Sequence, residues 1–319
     1  MQSEKATDHI ALLLSTYNSE VYIGELLASL FAQSNRNFTL LVRDDGSQDL
    51  TGDILLRYQE TYPENIVLLE ENKNLGPAAS FSSLAEYAVS IPKYTHFMFA
   101  DHDDYWLPMK IAKCLSLMKE KEQDFPDTPI LVHSDLVVVD ENLEIIGKSF
   151  WKFQHVSPKK NRINRLLMQN FIPGCTMLMN RKLLEKALPV HPGAIMHDWW
   201  VALVASVFGK IYYLNEATIL YRQHGTNVTD TVRFGLSYLA RKLFAERNIS
   251  RNFQQAHGFL ETFKSELSPL HTKELESFLG LANYGYLQRI YTIVRFGFLK
   301  HGIARNCDLL FRRFKSLDG

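Results

Sequence analysis

"IALLLSTYNSEVYIGELLASLFAQSNRNFTLLVRD", residues 10–44, sets two short apolar runs on either side of one amphipathic stretch. Within that stretch Ile23, Leu26, Leu27, Leu30 and Phe31 fall at i, i+3, i+4, i+7 and i+8, the spacing of one helix face. The flanking runs, IALLL from residue 10 and FTLLV from residue 38, are nearly all apolar instead of alternating. Such runs mark strands buried on both faces. The unit recurs: NIVLL begins at 65 and THFMFA at 95. Helical spacing around Leu55, Leu56 and Tyr58, and again around Phe81, Leu84, Ala85 and Ala88, fills the gaps between them. Strands and helices alternating with a unit of about 30 residues predict βαβ crossovers and an α/β fold on a mostly parallel sheet.

Ligands of such sheets bind outside the carboxyl ends of the strands, so the residues just past each run are informative. The four runs lead into STYNSE (15–20), RDDGSQD (43–49), ENKNLGP (71–77) and DHDD (101–104). All four ends are polar and two carry paired aspartates, which favours one shared site over four solvated turns. Further along, PILVHSDLVVVD predicts a strand and PGCTMLMNRKLL (173–184) a strand leading into a helix. HDWWVALVASVFG (197–209) predicts a buried helix, and KIYYLN with ATILYRQH (217–224) a hairpin or strand pair.

The 319 residues suffice for one large α/β domain with an appendage. Thirty-five basic residues balance 35 acidic ones, which argues against nucleic acid as a partner. The balance is uneven along the chain: residues 231–319 carry a net +7 and residues 1–230 a net −7. Three cysteines, Cys114, Cys175 and Cys307, have no disulfide or metal-site spacing, which fits a reducing compartment. The polar start and the lack of a long apolar run predict a cytoplasmic protein.

Asp101 and Asp103 are one residue apart. If the chain leaves its strand still extended, both carboxylates face one side and His102 faces the other. Oxygen donors of this kind suit Mg²⁺ or Mn²⁺ together with phosphate oxygens. Asp104 would then turn toward the helix signalled by Pro108, which continues through Ile111, Cys114, Leu115 and Met118. One aspartate would serve to charge a helix start; three exceed that need. Asp44, Asp45 and Gly46 form a turn before a helix that Asp49 or Thr51 can cap.

Taken together, LLLSTYNSEVYIGELLASLFAQSNRNFTLLVRDDGSQDLT, NKNLGPAASF and FADHDDYWLP resemble the family 2 glycosyltransferases, which have the GT-A fold and use nucleotide-sugar donors. The resemblance runs from about residue 8 to 230. HDWW and YRQHGTN are similar, more narrowly, to the bacterial polysaccharide branch, many of whose members are labelled rhamnosyltransferases; His102 stands where that branch has Gln. The resemblance implies nucleotide-sugar contacts at Thr16, Tyr17, Glu20, Asp45, Asn74, Gly76, Asp101, His102 and Arg222. Asp45 is implied as acceptor of the pyrimidine N3–H. It implies Mn²⁺ or Mg²⁺ at Asp101 and Asp103 with His224 close by, and Asp198 as the base of an inverting reaction. A helix N-terminus is expected to lower the Asp198 pKa. Helix capping is the competing role for Asp198, packing for His224, and core packing for at least one of Trp199 and Trp200.

The implied activity is transfer from a UDP- or dTDP-sugar to a surface polysaccharide, such as lipopolysaccharide or capsule, or to a lipid-linked glycan. The alternative is a non-catalytic nucleotide-sugar-binding or scaffold protein of a polysaccharide assembly complex. An Asp-nucleophile phosphohydrolase would want its aspartates after the first strand, and a nucleotidyltransferase a Gly-rich basic loop there; STYN is neither. The expected division is a catalytic domain over 1–230, with a nucleotide half (1–104) and an acceptor half (105–230), and a basic, aromatic helical region over 231–319. That region suits either a helix on an anionic membrane face or helices packed on the core.

Overall fold

A computed structural model describes residues 8–70, 73–224, 249–302, 305–307 and 309. The opening stretch folds as β1 (Ile10–Thr16), α1 (Ile23–Phe31) and β2 (Phe38–Asp44). β1 and β2 pair in parallel, from Ile10 opposite Phe38 to Thr16 opposite Asp44. α2 (Thr51–Thr61) leads into β3 (Ile66–Leu69), and α3 (Pro77–Val89) into β4 (His96–Ala100). β3 joins β2 and β4 joins β1, both parallel. β1, β2 and β4 are buried on both faces, as their continuous apolar runs require, whereas β3 at the sheet edge is half-buried beyond Ile66. Leu12, Leu14, Leu40 and Met98 pack in one cluster with the apolar stripe of α1. Leu13, Leu41, Phe97 and Phe99 pack in a second cluster with Leu84 and Ala85 of α3.

The chain then forms β5 (Tyr105–Trp106), α4 (Lys110–Asp124), β6 (Ile130–Val139) and β7 (Ile145–Gly147). Two single-turn helices come next, α5 (Phe150–Phe153) and α6 (Ile163–Leu166). A 3-10 turn, Gly174–Thr176, enters β8 (Met177–Asn180), and α7 (Arg181–Ala187), α8 (His197–Phe208) and β9 (Lys210–Arg222) complete the sheet. The strand order is β3-β2-β1-β4-β8-β6-β9-β5, with β7 on β6. β8 runs antiparallel between β4 and β6, while β6 and β9 are parallel. The carboxyl ends of β1, β2, β4 and β6 therefore share one edge.

KIYYLN and ATILYRQH are one strand, not a hairpin. Leu214 pairs with Ser134 and Ala217 with Asp135. Asn215 and Glu216 bulge out at that register shift and the strand resumes, so polar residues that look like a turn are a bulge.

α9 (Ser250–Phe263), α10 (Pro269–Gly280) and α11 (Tyr286–Phe296) come last. α9 packs on the core: Phe253, Phe259 and Phe263 share the cluster of Trp200 and Leu203, and the Trp200 and Phe259 rings meet edge-on at 5.4 Å. Among the described residues no helix is long and apolar enough to cross a membrane. The basic stretch 231–248, the end 310–319 and the GTN of YRQHGTN lie outside the described residues.

Candidate active site

The loop after β2 is a closed network. Asp44 accepts hydrogen bonds from Thr16 Oγ1 at 2.8 Å and from Ser47 N and Oγ at 3.0 and 2.6 Å. Asp45 is buried, pairs with the buried Arg43, and accepts from Leu75 N and Gly76 N, each at 2.8 Å. Arg43 also donates to Ser80 Oγ at 3.0 Å and to the Lys73 carbonyl at 2.7 Å. Gly76 has φ +76° and ψ 162°, a conformation that L side chains rarely adopt, and it aims its N–H at Asp45. A carboxylate offers about four lone-pair directions, and Asp45 fills three, leaving one on Oδ2. Asn74 Oδ1 accepts from Gly76 N at 3.2 Å. Glu20 is exposed and receives Leu50 N at 2.9 Å, tying the first loop to α2, while Tyr17 stands exposed at the edge.

The loop after β4 is built differently. β4 ends at Ala100 and the next four residues turn, with Asp104 N reaching back to the Asp101 carbonyl at 3.4 Å. The extended exit expected for Asp101 and Asp103 is therefore not adopted. A turn brings residues three apart together, so Asp101 and Asp104 converge instead, and with Cys175 they offer ligand atoms within 4.8 Å of one another. Burial pushes the Asp101 carboxyl up to about 7, helped by the charges of Asp103 and then Asp198. Burial, then Asp103 and Asp101, hold Asp104 well above the ordinary range, opposed only by the nearby Cys175 thiol and Arg222 backbone, and among the described residues neither of its oxygens accepts a hydrogen bond of normal geometry. Lys110, fully buried behind this loop, has no hydrogen-bond acceptor for its ammonium among the described residues, and the ammonium lies 4.5 Å from the Trp106 ring centroid.

Asp103 Oδ2 lies 2.9 Å from His224 Nε2, and the His224 ring sits against Tyr22 at 4.9 Å. Arg222, expected to reach a diphosphate, is buried and donates to the Asp103 carbonyl at 3.0 Å, the Glu25 carboxylate at 2.5 Å and the Glu141 carbonyl. Its guanidinium fixes the loop from behind. His102 is half-buried, and burial lowers its pKa against the opposing pull of Asp103. Crowded, incompletely partnered carboxylates with an imidazole beside them are donor chemistry that fits a divalent cation.

Asp198 is the second residue of α8. The N-cap position is Met196 and carries no side-chain bond, so Asp198 is not the cap. Its Oδ2 accepts Gly174 N at 3.1 Å and Asn170 Nδ2 at 3.2 Å, and Oδ1 accepts Trp199 N at 2.5 Å. A Cβ on Gly174 would come within 3.2 Å of the Asp198 Cβ, so the close approach favours glycine. Burial raises the Asp198 carboxyl to about 6, opposed by these N–H bonds. Desolvation thus outweighs the helix terminus, and the shift is upward where a downward one was expected. The neighbouring His197 stacks on Phe81 at 4.1 Å, and burial pushes it down to about 3, so it is neutral. Trp200 is buried with its indole N–H on the Ala187 carbonyl at 2.9 Å, and Trp199 donates to Leu166 at 2.6 Å. Both indoles are anchored in protein.

The fold thus brings the STYN, DDG, NLG and DHDD loops, Asp198 and His224 to one sheet edge. Arg43, Asn170, Gly174 and Cys175 were not singled out by sequence. Arg43 had a signal, since it and Asp45 are two apart at a strand end; Asn170 had none.

A model of the family described as Glycosyl transferase family 2 matches residues 12–188. The dTDP-rhamnosyl transferase RfbG of Shigella flexneri is 23% identical over 260 residues, covering 75% of this chain and 82% of that protein. The UDP-Glc:alpha-D-GlcNAc-diphosphoundecaprenol beta-1,3-glucosyltransferase WfgD of Escherichia coli is 27% identical over 176 residues, 55% of this chain and 62% of that one. Among solved structures, S. aureus TarS 1–349 aligns with a TM-score of 0.57 at 18% identity, covering 90% of this chain and 72% of that one. The mannosyltransferase PcManGT from Pyrobaculum calidifontis, solved with GDP-Man and Mn²⁺, aligns with a TM-score of 0.53 at 16% identity, covering 91% and 74%. These structural likenesses show a common fold.

Proposed function

This chain belongs to glycosyl transferase family 2 and is a glycosyltransferase of the GT-A fold, and on that basis we propose an inverting, metal-dependent enzyme. Its donor would be a UDP- or dTDP-sugar and its acceptor a growing surface polysaccharide or a lipid-linked glycan. The observation that carries the reading is the Asp198 carboxylate, held by Gly174 and Asn170 where its charge is felt by the crowded Asp101. Asp198 takes the proton of an acceptor hydroxyl as that oxygen bonds to the anomeric carbon and the nucleoside diphosphate leaves. A pKa of about 6 leaves it mostly ionised at neutral pH, yet basic enough to accept the proton.

Mn²⁺ or Mg²⁺ would be held by Asp101 and Asp103 with His224, supplying Lewis-acid stabilisation of the departing diphosphate. Arg222 and Glu25 position the metal loop. Asp45 keeps one lone pair on Oδ2 for a pyrimidine N3–H, while Thr16, Tyr17, Asn74 and Gly76 surround the nucleotide and His102 flanks the diphosphate. The printed donors of RfbG and WfgD are dTDP- and UDP-linked, which supports a pyrimidine. GDP-Man in PcManGT shows that the fold alone does not select the base.

Residues 1–230 would be the catalytic domain, its two halves meeting between β4 and β5, and the C-terminal helices would buttress α8. The undecaprenol-linked acceptor of WfgD supports a cytoplasmic enzyme working at the inner membrane face. Release of nucleoside diphosphate across a panel of nucleotide sugars, with Mn²⁺ and with chelator, tests the reading. Release from one pyrimidine sugar only when metal is present supports it; release undiminished by chelator overturns the metal role, and NMR showing retained anomeric configuration overturns the inverting one.

A further inference from the structure

α11 is apolar on its outward side as well as on its inward one. Its inward side buries Arg289, Thr292 and Ile293. Outward stand Leu287, Tyr291 and Val294, 80%, 66% and 65% exposed, with Tyr286 47% exposed beside them. Leu287, Tyr291 and Val294 are spaced i, i+4, i+7 and form one stripe along the helix. A surface helix ordinarily turns its apolar stripe to the core and its cations to solvent. Here an arginine and a threonine go in beside Ile293, and a leucine, a valine and two tyrosines come out beside Gln288 and Arg295. Scattered exposed apolar residues are ordinary; a continuous stripe marks an interaction surface.

The surroundings of the stripe say what covers it. No Asp or Glu occurs from residue 277 to residue 307, whereas Arg289, Arg295, Lys300 and Arg305 all do. Arg295 is exposed at the end of the stripe and Lys300 is half-buried just beyond it. A stripe of leucine, valine and tyrosine with Arg295 exposed at its end, on a helix that carries no acidic residue, complements a surface that is apolar within and anionic at its rim. Tyrosine rings in particular suit the headgroup level of a bilayer.

We propose that α11 is a docking surface for an anionic lipid bilayer. The helix lies in the membrane plane, its Leu287–Tyr291–Val294 stripe at the acyl boundary and Arg295 and Lys300 on headgroup phosphates. The docked surface is tied to the candidate site. Asn164 Nδ2 of α6 donates to the Phe296 carbonyl at the end of α11 at 2.7 Å, and Asn170, six residues on, holds Asp198. Vesicle binding requires neither donor nor acceptor, so this inference and the transferase reading fail separately.

The test is co-sedimentation of the full chain with phosphatidylcholine vesicles that contain or lack phosphatidylglycerol. The wild-type chain is expected to sediment with the anionic vesicles, to release on raising salt, and to bind neutral ones far less. Leu287→Glu/Tyr291→Glu is expected to weaken anionic-vesicle binding more than tenfold while nucleoside diphosphate release in solution is unchanged. Should that pair misfold, Leu287→Ser/Val294→Ser with an unaltered melting temperature gives the same reading. Wild-type protein that ignores both vesicle types, variants that bind like wild type, or a dimer by light scattering that the substitutions dissociate would each overturn the proposal.

Discussion

The loop after β2 and the loop after β4 leave the same sheet edge on either side of β1, and both begin with aspartates. In the first, Asp44 and Asp45 are met by Thr16, Ser47, Arg43 and two backbone N–H groups. In the second, Asp104 accepts no hydrogen bond of normal geometry among the described residues, and Asp101 is pushed up to about 7 by burial and by neighbouring carboxylates. Buried polar groups that organise a chain come with their partners. Carboxylates left crowded and unmatched at a strand edge cost stability unless a positive ligand arrives. The contrast separates an aspartate pair whose charge the protein itself balances from one whose charge it leaves unbalanced, which the bare letters DD and DHDD do not.

The largest effect is expected where the open loop meets the base. Asp198→Asn keeps the shape but cannot take a proton, so turnover should fall by a factor on the order of 10²–10⁴ with donor affinity intact. In wild type, Asp198 must be ionised, so turnover should fall as pH drops through about 6, and the Asn variant should lack that acid limb. A steady-state pH profile checks both.

Next is the closed loop. Arg43→Met strands the Asp45 carboxylate in the interior, where breaking a buried pair costs about 3–5 kcal/mol. A urea melt showing less than about 1 kcal/mol would mean that the loop does not depend on this pair.

A finer effect concerns Asp45 Oδ2. UDP or dTDP should compete for the donor site at least about tenfold better than GDP, since a lost hydrogen bond to a charged group is worth about 1.5–3 kcal/mol. Competition kinetics reads the ratio directly, and equal potency of GDP would contradict the assignment.

The smallest change should come from Asp104→Asn. Because burial and like charges disfavour its ionised form, a neutral isostere should cost less than about 1 kcal/mol or stabilise the fold. A loss as large as that of Arg43→Met would erase the distinction between the loops.

Much of the fold was legible in the sequence. The apolar runs at 10, 38, 65 and 95 became β1 to β4 in register; β1, β2 and β4 are buried on both faces and so need unbroken apolar side chains, while β3 lies half-buried at the sheet edge. The helix faces of α1, α3 and α4 came from their spacing. Where the chain turns was harder to read. Ala100 ends β4, but no local signal distinguishes an extended DHDD from a turned one, so the pairing of Asp101 with Asp104 emerged only in three dimensions. Asn215 and Glu216 imitate a turn because a bulge exposes the same polar residues. The Asp198 shift was misread because a helix terminus is visible in sequence whereas burial by residues far along the chain is not.

The contrast between the loops stands or falls on whether the open one serves a divalent cation bridging a nucleoside diphosphate. Titration calorimetry of UDP and dTDP, with and without Mn²⁺, on wild type and Asp103→Ala decides it. Wild type should bind one of them in a Mn²⁺-dependent manner, and Asp103→Ala should lose more than about tenfold of that affinity, about 1.4 kcal/mol, with its melting temperature preserved. Unchanged Mn²⁺-dependent affinity in the variant would contradict the metal role.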